Sequence, residues 1–218
     1  MPRPLNATSY AILGLLSVRS WSAYELTGQM KRGMRFTWPR AETRIYQEPK
    51  NLVAQGLARA SVEAKGRRER TVYTITPNGR AALRRWLEQP SAPPQFESEA
   101  LLRTTFADVG TRDALLSTLR GLREQVASHY EQLGAQVEDY LDTGGPFPER
   151  LHLIALIGKF IIEHLAHLER WADWAEEQVQ GWPDVGPASR LPVPIEVFHE
   201  IADAARAHQP ATPGTDRK

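Results

Sequence analysis

Apolar positions recur at helical spacing through the first part of the chain. From Thr8 to Val18 they fall at Tyr10, Leu13 and Leu16, one face of a helix. Ser22 offers an N-cap, and AYELTGQMKRGM continues as a second helix with Tyr24, Leu26 and Met30 expected inward. Pro39 opens a third segment, RAETRIYQEPKNLVAQG, where Ile45 and Leu52, with Tyr46 and Val53, repeat at seven residues and mark a buried edge. Gly56 stands at its C-cap position. Pro49 lies inside this segment and deletes a backbone hydrogen bond to the Ile45 carbonyl, at a cost of roughly 3 kcal/mol. A kink there, or a fresh start near Glu48, is the expectation.

After Gly56 the period changes from helical to alternating. Ala58, Ala60, Val62 and Ala64 alternate with Arg59, Ser61 and Glu63, the rhythm of a half-buried strand. KGRRE turns the chain, and TVYTIT returns as a second strand with Tyr73 and Ile75 on one face. Thr76 then caps a fourth helix, TPNGRAALRRWLEQ, with Pro77 in its first turn, so Asn78-Gly79 is not a hairpin turn. Three helices followed by a hairpin is the order of a winged helix-turn-helix, and GRRERTVYTIT is its wing. The fold class expected is mainly α, with a two-stranded wing and a C-terminal antiparallel helical domain.

EQPSAPPQFES, residues 88–98, carries three prolines and reads as a linker. Beyond it, Thr111 caps a long amphipathic helix with Leu115, Leu119, Leu122, Val126, Tyr130, Leu133, Val137 and Tyr140 on its seam. A second helix, from about Glu149 to Val179, offers Ile154, Ile157, Ile161, Leu165 and Leu168, with Trp171 or Trp174. The two helices form either an intramolecular hairpin or half of a two-fold bundle. Lys159 and Glu163 interrupt the apolar run from Leu151 to Leu168, which therefore reads as a buried helix and not as a membrane span. PIEVFHEIADAARAH forms one short helix, and the tail HQPATPGTDRK frays. The expected divisions are 1–90, a linker at 91–98, a helical domain at 99–182 and a tail at 183–218.

Composition narrows the function. The 218 residues are 41% apolar and 24% charged, which suits a globular protein. Without cysteine there are no disulfides, thiolate metal sites or cysteine nucleophiles, in keeping with a cytoplasmic location. The N-terminus lacks the apolar core of a secretion signal. Net charge is +1, yet residues 1–90 hold 16 Lys+Arg against 6 Asp+Glu, and residues 91–218 hold 11 against 20. So uneven a split directs the first part of the chain toward a polyanion. Carboxylates scattered on helix faces give no acid/base constellation, so an enzyme is not expected. His164 and His167 share a helical face, but no further ligands accompany them, and no metal or other cofactor is assigned.

AILGLLSVRSWSAYEL, TRIYQEPKNLVAQGLA and GRRERTVYTITPNGRAALRRWL together resemble the PadR family of transcriptional regulators, over about the first 88 residues. The resemblance implies a DNA-binding winged helix, a helical dimerisation domain, a homodimer and, usually, repression. On that reading the third helix enters the major groove. Arg40, Glu42, Thr43, Arg44 and Gln47 are its base-reading candidates, because Arg suits guanine, Gln adenine and a carboxylate cytosine. Tyr46 either touches a phosphate or packs in the core, and Lys50 suits a phosphate clamp. Arg67, Arg68 and Arg70 would bring the wing to phosphates or the minor groove. The partners expected are double-stranded DNA, a second copy joined through the long-helix seams, and a small-molecule effector of unknown identity. Trp171 and Trp174 either pack or line a pocket for that effector. The alternative function is an architectural DNA-binding protein without sequence choice.

Overall fold

The computed structural model describes residues 3–34, 36–38, 42–65, 68–186, 189, 191 and 194–208; at 42–44, 64, 65 and 68 it describes the backbone alone. The chain is mainly helical and divides into two compact units, residues 1–96 and 97–218.

In the first unit, α1 (Ala7–Val18) starts at Asn6, whose side chain accepts from the amides of Thr8 and Ser9 while the Ser9 hydroxyl accepts from the Asn6 amide. Its apolar face buries Ile12, Leu13, Leu15 and Leu16. The two-residue strand β1 (Trp21–Ser22) follows, with the Trp21 indole donating to the Leu15 carbonyl at 2.9 Å. Ser22 then caps α2 (Ala23–Gly33) in a capping box with Glu25. Leu26 and Met30 point inward, but Tyr24 is 79% exposed. Residues two apart on a helix lie about 200° from each other, so Tyr24 and Leu26 cannot share a face.

The third helix, α3 (Glu42–Ala54), runs through Pro49 without a fresh start. Ile45, Pro49 and Leu52 are buried together, and Gly56 leaves the helix at φ +69°, as its C-cap position requires. Strands β2 (Ala58–Lys65) and β3 (Arg68–Ile75) pair antiparallel, Ala58 opposite Ile75 and Lys65 opposite Arg68. The short β1 adds to the other edge of β3, giving the order β1-β3-β2; it went unnoticed in the sequence because two residues show no periodicity. Tyr73 and Ile75 are buried, as the alternation implied. Ala60 and Val62 are not, Val62 being 66% exposed, because none of the described residues covers that face of the ribbon outside the sheet's base.

Thr76 joins sheet to helix. Its hydroxyl accepts from the Gly79 amide and donates to the Gly56 carbonyl at 2.7 Å, while its own amide donates to Leu57 O. Pro77 then opens α4 (Pro77–Leu87). At Gly79 a Cβ would stand 2.1 Å from the Leu57 carbonyl oxygen, so only glycine allows α4 this close. The Tyr10 and Trp86 rings stack at 4.9 Å and bind α4 to α1.

The second unit begins with α5 (Glu99–Thr105), a short helix capped by Ser98 whose seven residues are too few to show a clear periodicity in the sequence. Thr111 caps α6 (Arg112–Thr143), and Gly144 ends it in a left-handed conformation, φ +76°. Next comes α7 (Leu151–Gln180). The two pack antiparallel, since Arg120 and Arg123 near the start of α6 meet Glu176 and Asp173 near the end of α7. Leu115, Leu116, Leu119, Ala175, Val179 and Val185 form one core cluster of this unit. An amphipathic helix, α8 (Ile195–Ala207), lies at the expected place. The stretch 209–218, expected to fray, lies outside the described residues.

Glu176 is nearly buried, accepting from Arg120 Nε at 2.8 Å and Arg123 Nη1 at 3.0 Å. The Arg120 hydrogen bond, with that of Arg123, holds its carboxyl below the ordinary range against the opposing effect of desolvation. Two expected outcomes follow from this packing. Gly79→Ala should lower stability by about 2 kcal/mol in urea unfolding, the cost of forcing a methyl into a filled site; a change under about 0.5 kcal/mol would mean that α4 moves aside freely. Because folding lowers the Glu176 pKa, the stabilisation is complete above the usual carboxylate value and is lost as pH falls through the folded value. Glu176→Gln should therefore lower the Tm at pH 7 and flatten its decline as pH falls below the usual carboxylate value, measured by calorimetry.

Candidate nucleic-acid interface

What orients α3 is polar and buried. The Glu48 side chain, 6% exposed, accepts through Oε1 from Ser9 Oγ at 2.6 Å and Asn51 Nδ2 at 2.9 Å, with Arg3 Nη2 3.6 Å from Oε2. Asn51 also clasps the Arg3 backbone: its Oδ1 accepts from Arg3 N, and its Nδ2 reaches Arg3 O. Gln55 donates to that same carbonyl at 2.8 Å. The segment before α1 is thereby strapped along the inner side of α3. The sequence points to Glu48 only as a place for the helix to restart and gives it no anchoring role. The available signal was a carboxylate on the inward row between Ile45 and Leu52, a place where a charge persists only with partners.

With Ile45, Glu48, Pro49 and Leu52 inward, the spacing of a helix turns Tyr46, Gln47 and Lys50 outward, and all three are exposed. Glu42, Thr43 and Arg44 occupy the first turn of α3, with side chains outside the described residues. Arg40 and Arg67 lie outside them altogether, and Arg68 is described only as the first residue of β3.

Beside α3, an open cleft of about 410 Å³ is lined by Tyr46, Tyr24 and Trp21 together with Arg19, Lys31 and Arg32, and with one carboxylate, Glu25, which is engaged by Ser22 and Arg70. Arg19 lies over the Trp21 ring, 3.8 Å from its centre. Lys31 and Arg32 occupy the last turn of α2, where a positive charge suits the helix dipole. Phenol hydroxyls and cations in one concave surface suit the oxygens of a polyanion. The helical pattern places Tyr24 in the core, which hides it as a candidate contact.

Arg70 differs from the solvent-facing cation that the basic turn suggested. Its Nη1 donates to Glu25 Oε1 at 3.0 Å and its Nη2 to Glu63 Oε2 at 3.3 Å. Its Nε is buried and has no hydrogen-bond partner among the described residues. The Ser22 amide, foremost, and Arg70 hold the Glu25 carboxyl below its ordinary value.

In the second unit, Leu115, Leu119, Leu122, Val126 and Leu133 of α6, with Ile161 and Leu165 of α7, are buried within the single chain. The seam expected to meet a partner is consumed by the hairpin itself, because α6 and α7 are long enough to cover each other. Tyr130 is half-buried with its hydroxyl 3.4 Å from Glu169, and Ile154 is half-buried. Ile157 is 47% exposed and belongs to a different, uncovered face with Leu153, Leu156 and Phe160. The apolar stretch of this helix, of mean hydropathy 1.4 and long enough by composition to cross a membrane, is only 11% buried, so the expectation of a buried helix fails. Trp171 packs on the Leu115–Val179 cluster, and Trp174 is half-exposed. Among the described residues no three His, Asp or Glu side chains converge on a common point.

Residues 12–85 match the family described as transcriptional regulator PadR-like. The chain is 30% identical over 130 residues to the probable transcriptional regulator Rv1176c of Mycobacterium tuberculosis, covering 59% of this chain and 67% of the relative. It is 28% identical over 153 residues to the negative transcriptional regulator PadR of Bacillus subtilis, covering 62% and 84%. Its fold is similar to the crystal structure of Bacillus subtilis PadR in complex with operator DNA, with a TM-score of 0.67 at 22% identity over 80% of this chain and 99% of the other.

Proposed function

This chain belongs to the PadR-like family of transcriptional regulators, and we propose that it binds an operator in duplex DNA as a homodimer and represses transcription there. The observation that carries the reading is the outward face of α3, held on a polar strap within a basic segment. Tyr46, Gln47 and Lys50 are exposed there, beside a cleft edged by Arg19, Lys31 and Arg32. Repression is supported by the 28% identical relative named a negative regulator, and operator binding by the similar fold solved on operator DNA.

In this mechanism α3 enters the major groove. Arg40, Glu42, Thr43, Arg44 and Gln47 read base edges, and Lys50 and Tyr46 hold phosphates. Tyr24 joins them from α2, and Arg67 and Arg68 reach the backbone from the wing. Two copies place two recognition helices on the half-sites of a palindrome. The surface that joins them is the stripe Leu153, Leu156 and Phe160 on α7, spaced at three and four residues and from 47% to 69% exposed. A small molecule that altered the separation of the two basic units would release both helices together. Working on DNA, the protein acts in the cytoplasm.

Two measurements test this. Fluorescence anisotropy on duplexes from the DNA flanking its own gene, against random duplex at equal salt, should show selective binding with a slope of log K against log salt of about −5 to −7. Lys50→Ala should make that slope shallower by about 2, one contact per copy. Equal affinity for both duplexes would point to an architectural role instead. Leu156→Glu combined with Phe160→Glu should halve the mass in light scattering, leave the helix content intact and weaken operator binding by at least about a hundredfold. An unchanged mass would place the dimer contact elsewhere.

A further inference from the structure

The wing is anchored less well than a hairpin in a larger sheet. β1 pairs with β3 only at Trp21↔Tyr73 and Ser22↔Val72 and then turns into α2. Beyond Val72 the ribbon has two strands, and Val62 on its outer face is 66% exposed. A two-stranded ribbon in water is marginal and pivots easily about its base. The next tie toward the turn is made by side chains. Arg70 stands opposite Glu63 in the ladder, and its guanidinium spans from Glu63 on β2 to Glu25 on α2.

Glu25 is itself held rigidly. Its Oε2 accepts from both the amide and the hydroxyl of Ser22, closing the capping box, while Oε1 faces Arg70. The carboxylate thus takes one oxygen to the helix start and the other to the wing. Planar guanidinium geometry suits such a two-acceptor bridge, and a lysine cannot reproduce it.

We propose that Arg70 is a positioning residue: by bridging Glu25 of α2 and Glu63 of β2 it sets the angle at which the wing leaves the helical body, and it touches no phosphate itself. This rests on the DNA-binding reading above, with Arg67 and Arg68 as the cations the wing delivers. The assignment separates two outcomes that simple electrostatics would invert. Removing an acidic side chain near a polyanion raises affinity if charge alone matters. If the carboxylate holds the wing, removing it lowers affinity.

The test uses the full chain with operator duplex and compares Arg70→Gln, Glu25→Gln and their combination. Glutamine at 25 keeps an oxygen for the Ser22 amide, so the cap survives. Each single variant should bind about fivefold to tenfold more weakly, the scale of a charge-assisted contact. The pair should be no weaker than either alone, and the salt slope should match that of the wild type. Amide exchange at Glu69–Thr71, measured without DNA, should speed up in both variants. The proposal is overturned if Arg70→Gln makes the slope shallower by about 0.9 per copy while Glu25→Gln binds as tightly as the wild type or more so. Unchanged exchange at Glu69–Thr71 would overturn it equally. If the wild type itself fails to bind any duplex in dilute salt, the DNA reading fails, and the exchange data still decide whether the bridge holds the wing.

Discussion

The placement of α3 depends on one buried carboxylate. Glu48 sits where an aliphatic residue would be expected, and it persists there because Ser9, Asn51 and Arg3 all reach it. Ser9 in turn accepts from the Asn6 amide at the start of α1, so the cap of one helix and the inner face of another belong to one hydrogen-bonded network. Such a network is stable when complete and costly when any member is lost, which makes it a register device as much as a source of stability. It fixes the rotation of α3 about its axis, and that rotation determines which side chains face outward.

Pro49, beside this carboxylate, shows which of two effects prevails. The missing hydrogen bond costs roughly 3 kcal/mol. Ile45 and Leu52 are both essentially buried, and each contributes about 1.5–3 kcal/mol on leaving water. Their joint burial equals or exceeds the penalty only if both stay on one face of one continuous helix. A break at Glu48 would forfeit the seam, so the helix continues through the proline.

Local chemistry was legible in the sequence, and tertiary choices were not. Ser22, Thr76 and Thr111 cap helices where their side chains announced it, and Gly56 takes the positive φ its position suggested. These are interactions within three or four residues, for which the chain carries its own signal. Tyr24 and Val62 were misread because apolar character was equated with burial, although a neighbour must exist on that side. Arg70 misled in the opposite direction: a cation in a basic turn looks free until Glu25, 45 positions away, is folded against it. The α6 seam erred for a related reason. Periodicity reveals that a face will be covered, but not whether the cover comes from the same chain.

The C-terminal helices therefore raise the question of partner choice in a specific form. An intramolecular hairpin satisfies the start of α6, since Leu115, Leu116 and Leu119 are buried with Ala175 and Val179 at the end of α7. The first half of α7 keeps Leu153, Leu156 and Phe160 in water, and an apolar stripe of that kind is unfavourable for an isolated unit. Acidic residues predominate after position 90, which discourages that part of the chain from approaching DNA; on the proposed reading, association falls to the apolar stripe. Charge and hydrophobicity are thus assigned to different tasks. A DNA-binding surface gains from this separation, because a helix and a wing that are already oriented lose little freedom on meeting a duplex, and the attraction of the basic residues is then spent on contact instead of on ordering the chain.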